Sequence, residues 1–239
     1  MSTSPRQGID PFNTDASGGE GYIYTTAGQF SSRHVLARHL ELILEVARIE
    51  NRSVVDIGCG DGFSTFRFWD EARPARLAGV DPADNAIKVA DRKKGERPIE
   101  FRVLENNRVP YDDAAFDVAI VQGVLHHADD PQATIREGLR VAKDIVILEP
   151  NGLNPGLKLL EKVSSYHREH NERSYTRRRL TGWVEKAGGR VIAERFGVFV
   201  PIFSPGWLAR PMAFLEPAVE ATPGLRAIGC SVYVMRATH

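Results

Sequence analysis

Two cysteines, Cys59 and Cys230, are all that this chain of 239 residues contains. They are too few for a disulfide framework and too far apart for a paired metal ligand, so a reducing compartment is the natural setting. Long apolar runs are missing as well. No segment offers the roughly 18 unbroken apolar residues of a membrane-spanning helix, and the first residues lack a basic stretch leading into an apolar one. The expected location is the cytoplasm. Net charge is the third absence: 31 Lys and Arg balance 31 Asp and Glu. No global field draws such a chain to nucleic acid or to an anionic membrane, and a nucleic-acid partner is not expected. What is present is apolar material, 42% of the residues, enough for one sizeable α/β core.

The first 30 residues are rich in Gly, Ser, Thr and Asp and poor in aliphatics. They predict a mobile arm that orders only over a ligand, ahead of a single domain over 31–239. From Ser31, the residues Val35, Leu36, His39, Leu40, Ile43, Val46 and Ala47 recur at helical spacing. Short apolar segments then alternate with helical ones: Ser53 to Ile57, Leu77 to Val80, Ile99 to Val103, Val118 to Val121 and Ile145 to Leu148. Strands apolar on both faces are buried parallel strands, and the alternating order predicts a doubly wound sheet. Asp130 before Pro131 supplies a cap and a first-turn proline for the helix that follows. The regularity breaks at about 150–174 and again at about 201–229, where prolines interrupt an apolar stretch. Between them Thr176 to Ala187 reads as a helix and Arg190 to about Val200 as a strand, and Cys230 to Arg236 as the last strand.

Ser53-Val54-Val55-Asp56-Ile57-Gly58-Cys59-Gly60-Asp61-Gly62 reads as a buried strand entering a glycine turn that opens a helix. Glycine lets backbone N–H groups approach a ligand closely, so three glycines at alternate positions describe a loop shaped around something bound. A dinucleotide fingerprint needs its third glycine where Phe63 stands here. With Asp56 the motif is D-x-G-x-G-x-G, which resembles the first motif of the class I S-adenosylmethionine (SAM) dependent methyltransferases. The resemblance covers roughly residues 50 to 150. It implies a seven-stranded, mostly parallel Rossmann-like sheet with an antiparallel last strand, SAM as cofactor and S-adenosylhomocysteine as product. The two irregular stretches become caps over the carboxyl ends of the strands, where open α/β sheets bind ligands.

On that resemblance the cofactor lies along Asp56, Gly58, Cys59, Gly60 and Gly62. Asp81, with Pro82 after it, accepts both ribose hydroxyls. Glu105 and Asn106 take the adenine, Gln122 and Gly123 bring carbonyls to the sulfonium and amino group, and Arg33 meets the methionine carboxylate. Val109 to Val118 looks like the family's approach to the fourth strand. Leu125-His126-His127-Ala128-Asp129-Asp130-Pro131 is similar to a loop of the ubiquinone and menaquinone C-methyltransferase-like branch. One of His126 and His127 could serve as general base toward a phenol, hydroxyl or ammonium, or both could simply hold the loop. Tyr22 and Tyr24 precede the first helix, where related enzymes use a tyrosine over SAM.

The implied acceptor is a small molecule or lipid-like compound, with its O, N or C atom open. No metal is expected: His167 and His170 fit a solvated, densely charged helix and acceptor recognition better than a metal site. The apolar residues Phe203 to Leu215 could pack as an ordinary lid, wall a lipophilic pocket or touch a membrane surface. Two other classes stay open, a nicotinamide-dependent dehydrogenase and a SAM-binding partner protein without catalysis.

Overall fold

Strand β1 (Ser53–Ile57) sits between β2 (Arg76–Asp81) and β4 (Phe116–Gln122), paired parallel to both. The computed structural model of the chain describes residues 28–104, 108–163 and 173–239. Seven strands form one sheet in the order β3-β2-β1-β4-β5-β7-β6, with β3 Ile99–Val103, β5 Ala142–Pro150, β6 Arg190–Gly197 and β7 Val232–Thr238. Only β7 runs against its neighbours, slotted between β5 and β6. Strand order reverses between β1 and β4, and the crevice for a ligand opens outside the carboxyl ends at such a switch point.

The apolar runs alternate between two layers. Val55, Ile57, Ala119, Val121, Ile145 and Ile147 pack on one face, while Val54, Val118, Ile120, Val146 and Leu148 pack on the other. Helix α1 (Phe30–Val46) and helix α2 (Phe63–Ala72) cover the second face through Val35, Leu40, Ile43 and Phe68. Helix α3 (Asp84–Lys93) follows β2. Helix α4 (Pro131–Val141) lies on the first face, capped by Asp130, whose carboxylate accepts the Ala133 amide at 3.0 Å. Strands covered on both faces have no water-facing side to make polar, which is why they read as continuous apolar runs.

The first irregular stretch contains helix α5 (Pro155–Val163), and helix α6 (Arg177–Lys186) follows, with Thr176 as its cap. The second is not irregular. It forms helix α7 (Gly206–Ala221), with Pro211 and Pro217 inside, and helix α8 (Pro223–Gly229). Proline removes two helix hydrogen bonds there, and tertiary contacts override that cost. Glu216 is buried and accepts from His34 at 2.8 Å and from the Phe199 amide at 2.7 Å. Glu220 accepts from Arg38 at 2.9 Å and from the Val198 amide at 3.1 Å. The strands are as expected in place and type, but β6 stops at Gly197 and β7 starts at Val232.

Candidate active site

The glycine turn stands on β1 and is pinned to β2. The Gly58 amide donates to the Val80 carbonyl at 2.7 Å, and the Gly60 amide donates to Asp81 Oδ2 at 2.9 Å. Gly58 has φ +80, and a Cβ there would lie 2.3 Å from Val124 Cγ2. Glycine at this position thus lets the loop after β4 close on the loop after β1. The Cys59 sulfur turns inward, 2.9 Å from where a Cβ at Gly79 would stand. Burial pushes its thiol pKa well up, and its amide donates to the Val80 carbonyl at 3.1 Å while its carbonyl accepts the Gly62 amide at 3.0 Å.

Asp56 and Asp81 are buried carboxyls. Asp56 Oδ2 accepts the Thr65 hydroxyl at 2.6 Å, and burial raises its pKa to about 7 against the lowering effect of that bond. Asp81 is raised to about 6, again by burial, opposed by the amides of Ala83 (2.8 Å) and Gly60. Each Asp81 oxygen takes one backbone N–H and keeps a second lone pair, so the carboxylate is oriented in advance for two hydroxyl donors. Pro82 is exposed beside it.

At the tip of β4, Gly123 has φ +66 and its amide donates to the Leu148 carbonyl at 2.8 Å. A Cβ on Gly123 would lie 3.7 Å from His126 Cε1. His126 Nδ1 is 2.7 Å from Glu149 Oε2, and Glu149 is fully buried at the end of β5. The other oxygen of Glu149 accepts the amides of Val124 (2.9 Å) and Leu125 (2.7 Å). A carboxylate only accepts, so a neutral ring facing it carries its proton on Nδ1 and its lone pair on Nε2. The ring of His127 lies 3.9 Å from that of His126, centre to centre. Burial first, then the charge of Glu149, pushes the Tyr175 phenol upward.

Glu149 and Tyr175 escaped the sequence reading. An acid ending the apolar run Ile145 to Leu148 was the signal for Glu149. Arg33 is exposed and donates to the Gly28 carbonyl, while Arg67 holds α1 to α2 through the Leu36 carbonyl at 2.9 Å. Gln122 lines a small depression with Arg67, Leu36 and Ser64. Tyr22, Tyr24, Glu105, Asn106, His167 and His170 lie outside the described residues. Among the described residues no three His, Cys, Asp or Glu come together as a metal site, and no helix is long and apolar enough to cross a membrane.

The backbone cradle of the glycine turn, the pre-oriented Asp81 and the open approach at Gly123 fit SAM. Residues 55–148 match the family model described as Methyltransferase domain. A tRNA U34 carboxymethyltransferase of Nautilia profundicola is 29% identical over 145 residues, 56% of this chain and 39% of that protein. Another protein of that name, from Shewanella halifaxensis, is 33% identical over 113 residues, 44% of this chain and 34% of its own length. The matched part is thus about two fifths or less of these curated relatives. Magnesium protoporphyrin IX methyltransferase from Synechocystis PCC 6803, with bound SAH, has the same fold at a TM-score of 0.66, with 14% identity and 97% of each chain covered. Residues 55–148 thus resemble a methyltransferase domain, and the seven-stranded fold around them is one that the solved methyltransferase shares.

The relatives named for tRNA overturn the expectation of no nucleic-acid partner. Zero net charge is a sum over the chain and coexists with local clusters. Arg178, Arg179 and Lys186 line one cleft on α6.

Proposed function

We propose that the protein transfers a methyl group from SAM to a small-molecule or lipid-like acceptor whose reacting atom must give up a proton. The observation that carries this reading is the contact of His126 with the buried Glu149, beside the glycine turn at the carboxyl edge of the sheet. When bound, SAM supplies a methyl group that is already activated, so alignment of the acceptor provides much of the rate. The chain's own part is then to hold and to deprotonate. The Asp81 carboxylate would hold the nucleoside end where the glycines of the turn let the backbone come close, and the Gln122 and Gly123 carbonyls would serve the sulfonium end. Glu149 keeps the proton on Nδ1 of His126, and Nε2 takes the acceptor's proton. The loop from Leu125 to Pro131 supports a place in the ubiquinone and menaquinone C-methyltransferase-like branch.

A nucleic-acid acceptor is the second reading. It is favoured by the names of the relatives and by a cleft of about 350 Å³ lined by Arg178, Arg179, Lys186 and Trp183. Arg179 lies 5.0 Å over the Trp183 ring and 5.3 Å over that of Tyr175. Guanidinium groups on aromatic faces suit phosphates and unstacked bases.

The deciding experiment offers tritiated-methyl SAM and the purified protein to polar lipids and phenolic small molecules, and in parallel to bulk tRNA. Label is expected in the first set. The His126→Ala variant should lose about 10²–10⁴-fold in turnover at unchanged S-adenosylhomocysteine affinity. Label in tRNA alone overturns the acceptor class, and wild-type turnover in His126→Ala overturns the base.

A further inference from the structure

Helix α7 is apolar outward as well as inward, where Ala209, Met212 and Ala213 pack on the core. Its outward face carries Trp207, Pro211, Phe214, Leu215 and Ala218, with Trp207 and Phe214 exposed to 77% and 85%. Its inward face carries the two acids of the segment, Glu216 and Glu220, held by His34, Arg38 and backbone amides. Helix α8 continues the surface with exposed Leu225 and Ile228. The charges that remain outside on these two helices are Arg210 and Arg226, both exposed. The segment therefore presents large apolar side chains and positive charge to its surroundings and no carboxylate. An apolar surface of this size signals a partner other than water.

We propose that the outer face of α7 and α8 docks on an anionic lipid bilayer, with Trp207, Phe214, Leu225 and Ile228 entering the boundary between headgroups and acyl chains. Charge selects this occupant. Acidic residues turned inward and arginines left outward match the negative potential of a phospholipid surface. A second copy of the chain would instead set Arg210 and Arg226 against the like-charged face of its partner. The end of α8 is also tied to the catalytic edge: Asn151 Nδ2 donates to the Ala227 and Cys230 carbonyls, both at 2.9 Å, and Asn154 Nδ2 to that of Gly229 at 3.0 Å. Docking would hold that edge near the bilayer. The inference stands on surface chemistry and does not depend on the transfer reaction.

The test is sedimentation of the full chain with phosphatidylcholine vesicles, with and without phosphatidylglycerol. Binding is expected to the phosphatidylglycerol vesicles, with a blue shift of tryptophan emission that Trp207→Phe removes, and weakening with salt. Phe214→Asp and Leu225→Asp replace exposed side chains, so their circular dichroism should match wild type while partitioning falls about tenfold or more. Arg210→Gln with Arg226→Gln should abolish the preference for phosphatidylglycerol. No binding to phosphatidylglycerol vesicles at low salt overturns the proposal. So does a dimer in sedimentation velocity that Phe214→Asp splits and vesicles fail to dissociate, because a second copy then covers this face.

Discussion

At the scale of single residues, Asp56 is a carboxyl sealed under the glycine turn with one hydroxyl partner, Thr65. Burial raises its pKa from 3.8 to about 7, so in the folded protein it keeps its proton where the unfolded chain has released it. The folded state binds more protons between those two values, and stability from this group falls as pH rises through that window. Asp81 acts in the same direction over a narrower range, up to about 6. Asp56→Asn keeps an acceptor for Thr65 and removes the titration. Its melting temperature should fall less than that of wild type as pH is raised from about 4 to about 7. Equal slopes in the two proteins would mean that Asp56 is ionised when folded. Asp56 near the end of β1, Asp81 at the end of β2 and the histidine pair just after β4 were legible, standing at positions that the sequence marks as strand ends. The role of Glu149 was not, since it meets His126 only when β4 and β5 pair in register, Gln122 beside Leu148. The acid that ends the apolar run Ile145 to Leu148 marks the position, but no local pattern encodes its partner.

At the scale of elements, the loops after β1 and β4 lock into one another at Gly58 and Val124. Gly58→Ala meets both a positive φ and a Cβ position 2.3 Å from Val124 Cγ2. It should destabilise the protein by about 1–3 kcal/mol and remove the gain in melting temperature from S-adenosylhomocysteine. Adding Val124→Ala relieves the clash but not the backbone strain, so the double variant should recover part of the loss. A double variant as unstable as the sum of the two single ones would place the whole effect in φ. The buried strands were legible to within a few residues because two-sided burial leaves an apolar run between turns. Helix α7 was not legible. Pro211 and Pro217 argue against a helix locally, and what holds it are Glu216 and Glu220 reaching α1 and the end of β6 across the fold.

At the scale of the whole molecule, the proposed cofactor residues fall on β1 to β4, while the segments after β5 and β6 are the proposed acceptor side. Those two segments are far apart in sequence and are joined mainly through Asn151 and Asn154. Asn151 is fully buried, donates from Nδ2 to the Ala227 and Cys230 carbonyls, and accepts the Leu153 amide on Oδ1 at 3.1 Å. Alanine there leaves two carbonyls and an amide without these partners, which costs about 1–3 kcal/mol for a buried polar group left unmatched. Because the contact joins the segments after β5 and β6 and makes no bond to the glycine turn among the described residues, the loss should loosen the acceptor side alone. Asn151→Ala is expected to unfold earlier and to be cut sooner by protease between α7 and β7. Its affinity for S-adenosylhomocysteine, measured by calorimetry, should stay within about twofold of wild type. A parallel loss of cofactor affinity would mean that the two sides of the sheet edge form one cooperative unit, with the segments after β5 and β6 helping to shape the cofactor site.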